Sequence, residues 1–444
     1  MVRDAEQLLD ELYNAFEPSE PLLAGDPTYV DCRAVRGDGD IVIDVGRKIY
    51  RSKRITCQLY AGHRGAGKST ELLRLKQDLE DNHNFHVVYF AADREDIDSE
   101  NTQYTDILLA CTRHILEDLN GIANPSPLLN WLKSRWQELQ SLALTEVQFD
   151  RLNVQGQIAQ FAKLTANLRA VPNLRQQIRA KVDPHTVTLI EALNEFIDEA
   201  NKKLPNGRDR LAVIVDSLDR IAFIPREGGR NNYDEIFLDR SEQLKKLNCH
   251  AIYTVPISMA YSNRANDLKE IYNDPQVLPM IMVRTPQGDI EPSGFDKIKE
   301  LLAKRVRLCT PTRSLETEVF DSEETVKQLC LISGGHLREL MLLMQETINR
   351  TENLPIPARS VQRAITKVRD VYRRTVESSE WEILAEVARR KQIRNDEQHR
   401  SLLFRRCILE YRYFDEEGEL QPWYDVHPLI LGIQQFQDAL AQIQ

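Results

Sequence analysis

Nine consecutive residues, Gly62-His63-Arg64-Gly65-Ala66-Gly67-Lys68-Ser69-Thr70, carry the clearest chemistry in the chain. They fit G-x-x-x-x-G-K-[ST], in which glycines let successive backbone N–H groups turn inward around phosphate oxygens. Lys68 is then the charge that reaches the β- and γ-phosphates, and Ser69 the hydroxyl that ligates Mg²⁺. A site of this kind needs a carboxylate for the metal at the end of a neighbouring buried strand. The run Leu-Ala-Val-Ile-Val-Asp216 supplies one. Ser217 follows, where a water-orienting glutamate often stands, and the next acid is Asp219. Two readings of Asp219 remain open: it orients the attacking water, or it caps the following helix or pairs with Arg220. No strand ends in the N-K-x-D that reads guanine, so the expected ligands are ATP and ADP with Mg²⁺.

The loop is useful only if strands and helices hold it. Apolar, β-branched runs at Ile55–Ala61, His86–Asp93, Leu211–Asp216, His250–Val255 and Met280–Val283 read as five buried strands. They alternate with helical patterns, including Tyr104–Leu119, which implies a parallel sheet covered on both faces. From about residue 120 to 203 the pattern is continuously helical and polar, an insertion into that alternation. After Pro286 strands cease, and helices from Gly294 to Thr351 end at the proline-punctuated NLPIP. Helices at Arg359–Thr375, Ser379–Arg390 and Glu397–Arg405 then precede two strand-like runs around DEEGE, the order of a winged helix. The expected class is α/β: a parallel P-loop ATPase sheet with a helical insertion (1–290), an all-α lid (291–357) and a winged-helix domain (358–444). No repeat of fixed period suggests a solenoid.

Composition excludes other classes. The 444 residues are 42% hydrophobic and 28% charged, ordinary for a folded protein, with a formal charge of −10. No apolar stretch approaches the ~20 residues that span a bilayer. The N-terminus has acids where a secretion signal needs a basic region, so a cytoplasmic protein without membrane association is expected. Seven cysteines stand singly, with no C-x-x-C pair. Charge is segregated: between Arg359 and Arg412 fourteen Lys/Arg face eight Asp/Glu. That region either binds DNA phosphates or is a solvated face or one that docks on the acidic core.

The P-loop, Val-Asp-Ser-Leu-Asp-Arg220, the strand-ending Thr254 and Ser-Gly-Gly-His-Leu-Arg338 together resemble the AAA+ and STAND superfamily of ATPases, over roughly residues 35 to 440. VDSLDR is similar to the second motif of STAND and KAP-type members. The resemblance implies a Mg²⁺-dependent ATPase acting as a switch or assembly platform, in bacterial conflict or defence systems. It also implies protein partners that supply sensing or effector functions, and a homo-oligomer. By the same analogy Thr254 is a sensor of the γ-phosphate, or simply ends its strand. Arg338 reaches the nucleotide from the lid. Arg264 is either a finger aimed at a neighbour's nucleotide or a surface arginine. His427, in Asp-Val-His-Pro-Leu-Ile, resembles the histidine with which STAND winged helices contact ADP, although Pro428 replaces the usual aspartate; otherwise it packs at a domain edge. The order of core, lid and winged helix is also similar to that of origin-recognition initiators, so a DNA-loading ATPase is the second reading. A scaffold that binds ATP and scarcely hydrolyses it is the third.

Overall fold

The computed structural model describes residues 5–142, 149–227 and 230–443. Residues 143–148, within the expected insertion, lie outside the described residues. Helix α1 (Ala5–Ala15) buries Leu8, Leu9 and Leu12 on one stripe, and that stripe packs against the lid rather than the sheet. The sheet begins with β1 (Cys57–Gly62), followed by the phosphate loop and α2 (Lys68–Asn82). Next come β2 (Phe85–Ala91) and α3 (Tyr104–Asp118).

Among the described residues, four helices then make up the insertion: α4 (Ser126–Leu139), α5 (Val154–Ala170), α6 (Pro172–Val182) and α7 (Thr186–Asn201). Trp131, Trp136, Phe161, Ile178 and Phe196 merge with one face of the sheet in a single apolar cluster, so the insertion shares the core. Arg179 of α6, itself buried, is pinned to Asp106 of α3 by a charge-assisted hydrogen bond.

The chain returns through β3 (Arg210–Asp216), β4 (His250–Pro256) and β5 (Gln276–Leu278). All five strands are parallel, in the order β2-β3-β4-β1-β5. Strand β4 is buried at every residue, as a strand between two others with helices on both faces must be. The order brings the carboxyl ends of β1, β3 and β4 together at one sheet edge, where open α/β sheets bind ligands.

The fifth strand is a correction. Met280–Val283 is the more apolar run, yet it lies outside the sheet, and Gln276–Leu278 pairs with β1 instead. Met280 N–H donates to Glu410 O (2.9 Å) and Met282 N–H to Val35 O (3.0 Å), so this segment is buried by later and earlier chain rather than by a strand.

The lid comprises α8 (Pro292–Cys309), α9 (Glu323–Ile332) and α10 (Leu337–Ile348). The turn before α10 requires glycine. Gly335 has φ +74°, and a Cβ there would stand 1.9 Å from Ile281 O. The winged helix follows as α11 (Ala358–Thr375), α12 (Trp381–Arg390), α13 (Glu397–Phe404), an antiparallel hairpin of β6 (Ile408–Phe414) and β7 (Leu420–Val426), and α14 (Gln434–Gln442). The base of its hairpin is buried, while its tip, from Phe414 to Leu420, is largely exposed. Leu409, Tyr411 and Trp423 join Leu72, Leu75 and Ile214 in the core on the other face of the sheet, and Tyr411 Oη donates to Gly334 O of the lid (2.8 Å). The winged helix is thereby folded down onto the sheet domain.

No disulfide joins the seven cysteines, and six of them are buried. No helix among the described residues is long and apolar enough to cross a membrane.

Candidate nucleotide site

Strand β1 delivers the chain into the loop at Gly62, where a Cβ would meet Leu278 O of β5 at 2.9 Å. Gly67, at φ +103°, closes the loop as the N-cap of α2, whose first turn then points its free N–H groups inward. Lys68 Nζ donates to Gly62 O (2.8 Å) and His63 O (2.9 Å), and pairs with Asp219 Oδ2 at 2.9 Å. Both side chains of that pair are buried. Asp219 reaches Lys68 because Ser217 takes a left-handed backbone (φ +66°) that folds the chain after β3 back toward the loop. Neither expectation for Asp219 included this partner. Arg220 does not pair with Asp219; its guanidinium takes Asp93 at 2.6 Å.

Asp216 ends β3 almost completely buried. It accepts hydrogen bonds from Tyr89 Oη (2.8 Å) and from Ser217 N–H (2.6 Å). Burial pushes its carboxyl pKa up, with the Asp219 charge adding to the effect, while the hydroxyls of Ser69 and Tyr89 pull it down. A buried carboxylate whose partners are hydroxyls and a backbone N–H fits a hard, oxygen-seeking ion. Ser69 and Asp216 would therefore hold Mg²⁺ jointly with phosphate oxygens. No cluster of three or more His, Cys, Asp or Glu able to hold a metal exists among the described residues.

The cavity over the loop is lined by Gly65, Gly67, Lys68, Ser69 and Thr70, together with Asp216, Asp219 and Arg338. The strap Glu17–Leu22, with Tyr29 and Val30, covers one side, and Leu301, Leu337 and Met341 of the lid cover the other. Leu22 N–H donates to Thr70 Oγ1 (3.1 Å) and Tyr29 Oη to Glu71 (3.2 Å), which fastens the strap to α2. The apolar lid side and the polar loop side suit a base and its phosphates respectively.

Three expected residues are elsewhere. Thr254 is fully buried and does not line the cavity; its hydroxyl accepts Leu218 N–H (2.9 Å) and so holds the turn that carries Asp219. Arg264 pairs with Asp267 (2.8 Å) and lies 3.5 Å from Asp239, engaged within its own chain. His427 is buried against Tyr372, with ring centroids 4.9 Å apart, and faces His336 rather than the cavity.

Three other residues grip the loop and were not singled out for that role by the sequence. His336 caps α10 by accepting Glu339 N–H at Nδ1 (3.0 Å), so its Nε2 carries the proton and donates to Arg64 O (2.7 Å). Arg338 N–H donates to Gly65 O (3.1 Å). From the winged helix, Glu410 N–H donates to His63 Nε2 (3.1 Å), and burial followed by the Lys68 charge pushes the His63 pKa down to about 3, keeping the ring a neutral acceptor. Lid and winged helix thus both bond to the loop's backbone or its variable positions. A further residue, which the sequence did not single out, is Arg36. It is 5% exposed and donates Nη2 to Ala66 O (2.8 Å), but its Nε and Nη1 have no partner, leaving donors beside the phosphate site. Only its place in a turn-rich run before β1 could have drawn attention to it.

No family model and no curated protein matches the chain. Among solved structures, it aligns with Cdc6p from Pyrobaculum aerophilum at 12% identity and TM-score 0.40, covering 97% of this chain and 98% of that one. The Aeropyrum pernix ORC2 protein, in ADPNP-ADP complexes, aligns at 10% identity and TM-score 0.42, covering 97% of each chain. The Aeropyrum pernix ORC1 protein in complex with DNA aligns at 12% identity and TM-score 0.35, covering 90% of each.

Proposed function

We propose that the protein binds and hydrolyses ATP with Mg²⁺, as a switch of the AAA+ and STAND kind in which nucleotide controls whether lid and winged helix stay closed on the phosphate loop. The observation that carries this reading is the buried Lys68–Asp219 pair lying under a loop bonded by His336, Arg338 and Glu410. Phosphates entering the loop compete with Asp219 for Lys68. The exchange frees the Asp219 carboxylate beside the γ-phosphate, where it orients water. Thr254 acts as a positioning residue by fixing Leu218, and Arg338 offers a guanidinium from the lid. Ser69 and Asp216 would hold Mg²⁺, which would supply positive charge against the phosphoryl oxygens. Movement of the loop on nucleotide exchange reaches both covering domains directly, so partners that sense or respond need only recognise the open form. A place in bacterial conflict systems belongs to this reading.

The test uses the full chain without nucleotide, with ADP and with a non-hydrolysable ATP analogue, followed by small-angle scattering and sizing. A larger, more extended particle or an assembly with the analogue is expected. Identical profiles with nucleotide demonstrably bound overturn the switch, and absence of phosphate release in an ATPase assay favours the scaffold reading.

DNA binding is the second reading. Arg373 and Arg374 share the single carboxylate of Asp370, and Arg390 and Arg394 share that of Glu386, which leaves positive charge exposed on the outer winged-helix face. Binding to duplex DNA that weakens steeply between two salt concentrations supports it.

A further inference from the structure

Beside the nucleotide cavity, toward the insertion, lies a second, open basin. It is lined by Arg64, Arg169, Arg175, Arg220, Arg338 and Arg406, with Asp93 and Asp98 as its acids. The six guanidiniums come from the phosphate loop, the α5–α6 corner, the turn after β3, the first turn of α10 and the corner between α13 and β6.

Local structure fixes each contribution. Pro172 stops α5, and Arg175, buried, donates to the carbonyls of Leu168 and Arg169 that the helix end leaves free. The corner is held and Arg169 stays exposed at the rim. Arg406 turns the chain from α13 into β6 with a left-handed backbone at φ +63°, uncommon for a residue with a side chain. Arg64 stacks on Phe404, 4.5 Å from its ring centroid, and donates Nε to Asp219 O (2.8 Å).

Both acids are already engaged. Arg175 takes Asp98 and Arg220 takes Asp93, each at 2.6 Å. Arg169, Arg338 and Arg406 make no ion pair or side-chain hydrogen bond among the described residues. Burial, and then the like charges of Arg220 and Arg406, press the Arg338 guanidinium below its ordinary pKa, a measure of how closely these cations converge. Guanidiniums present planar forks matched to phosphate oxygens, and a surplus of them in one concavity attracts multiply charged anions.

We propose that this basin is a second ligand site, taking a small molecule that bears several phosphate groups while nucleotide occupies the neighbouring cavity. Arg64, Arg220 and Arg338 line both spaces, so the second ligand bears on the same lid and loop that the nucleotide holds. It also gives the insertion a role, since Arg169 and Arg175 are its contribution. The proposal goes beyond the nucleotide reading and leans on it only in using MgADP to fill the first cavity.

The experiment is calorimetric titration of inorganic tripolyphosphate into the full chain saturated with MgADP, at buffered free Mg²⁺. One-to-one binding with ADP retained is expected. Arg169→Gln combined with Arg406→Gln should weaken it at least tenfold and leave MgADP affinity unchanged, with circular dichroism confirming the fold. No binding, release of ADP in step with tripolyphosphate uptake, or equal affinity in the double variant overturns the proposal. Orthophosphate binding as tightly as tripolyphosphate also overturns it, by assigning the basin to product phosphate. Failure of the wild type to bind MgADP sinks the nucleotide reading instead; tripolyphosphate titrated into a Lys68→Ala chain without nucleotide then still tests the basin.

Discussion

The winged-helix domain has two faces that differ in every physical respect. Its inner face buries Leu409, Tyr411 and Trp423 against the sheet and meets the phosphate loop through Glu410 N–H, which donates to a neutral His63, and through Phe404, on which Arg64 stacks. Its outer face carries paired arginines such as Arg374, 73% exposed, and Arg394, 65% exposed, on shared carboxylates. Apolar burial and a desolvated hydrogen bond fix one geometry, whereas solvated ion pairs contribute little to stability and leave the charge available. Regulation is therefore expected from the inner face and adventitious or genuine polyanion binding from the outer.

The largest effect should come from the group the inner grip surrounds. Lys68→Ala should abolish nucleotide-induced stabilisation, about 3 kcal/mol at a hundredfold excess over Kd. It should also destabilise the nucleotide-free protein by roughly 3 kcal/mol, because Asp219 would be left buried without its cation. Adding Asp219→Asn should recover most of the second loss and none of the first. Thermal melts with and without ATP separate the two terms. In the single Asp219→Asn variant Lys68 no longer has to be drawn from a carboxylate, so nucleotide should bind more tightly while phosphate release slows. Unchanged release would return Asp219 to a purely structural role.

Gly65→Ala should break the lid's hold while sparing the sheet. A Cβ there would stand 2.6 Å from Arg338 Cβ and 2.7 Å from His336 Cε1, at φ +82°. The strain, of order 1–3 kcal/mol, is relieved by moving the start of α10 away from the loop. Hydrogen exchange should accelerate at Leu337–Leu340 and in the β6–β7 hairpin, with β3 and β4 still protected. Equal protection in variant and wild type would mean that the closed lid does not depend on this approach.

The contrast between the faces also explains what could be read from residue order. The phosphate loop and Asp216 were legible because their chemistry is local: eight spaced positions, and a carboxylate ending an apolar run. The bond that His63 makes to the winged helix was not, since the motif treats its place as free and its partner Glu410 comes 347 residues later. The Lys68–Asp219 pair hides for the same reason, and the adjacent Arg220 offers a false partner. The fifth strand was misplaced because hydrophobicity reports burial without saying by what: Met280–Val283 is covered by β6 and the N-terminal segment, while the more polar Gln276–Leu278 carries the β1 pairing. Arg169 sits on a polar helix where one exposed arginine looks like any other.

A smaller effect should appear with pH. Burial, and then Arg406, push the His427 pKa down to about 3, against an ordinary 6.5 in the unfolded chain. Between those values the unfolded state binds a proton that the folded state does not, so stability rises with pH through that window and this contribution is flat above it. Glu339 and Asp216, whose carboxyls burial pushes up, act with the opposite sign, so the comparison must be between variants. His427→Phe keeps a ring against Tyr372 and cannot titrate. On moving from pH 7 to pH 5 the wild type should lose about 2 kcal/mol more than the variant. Parallel losses would mean that the domain opens, and hydrates His427, before the chain unfolds.

The smallest stability change is expected on the outer face, where it matters most that it is small. Replacing Arg373, Arg374, Arg390 and Arg394 by Gln removes two pairs of guanidiniums that share Asp370 and Glu386. Each pair is exposed and screened, and surface changes of this kind usually lie within about 0.5 kcal/mol. Melting temperature, ATP affinity and phosphate release should therefore match the wild type. If DNA binds here, its affinity should fall, and the slope of log affinity against log salt should flatten by roughly the number of phosphate contacts removed. DNA affinity that is unchanged, or that is absent in the wild type at low salt, leaves this charge as a solvated surface and the winged helix with its inner task alone. A loss of nucleotide affinity in the same variant would contradict the separation of the two faces, because the ion pairs of these four arginines run to Asp370 and Glu386 of the winged helix itself.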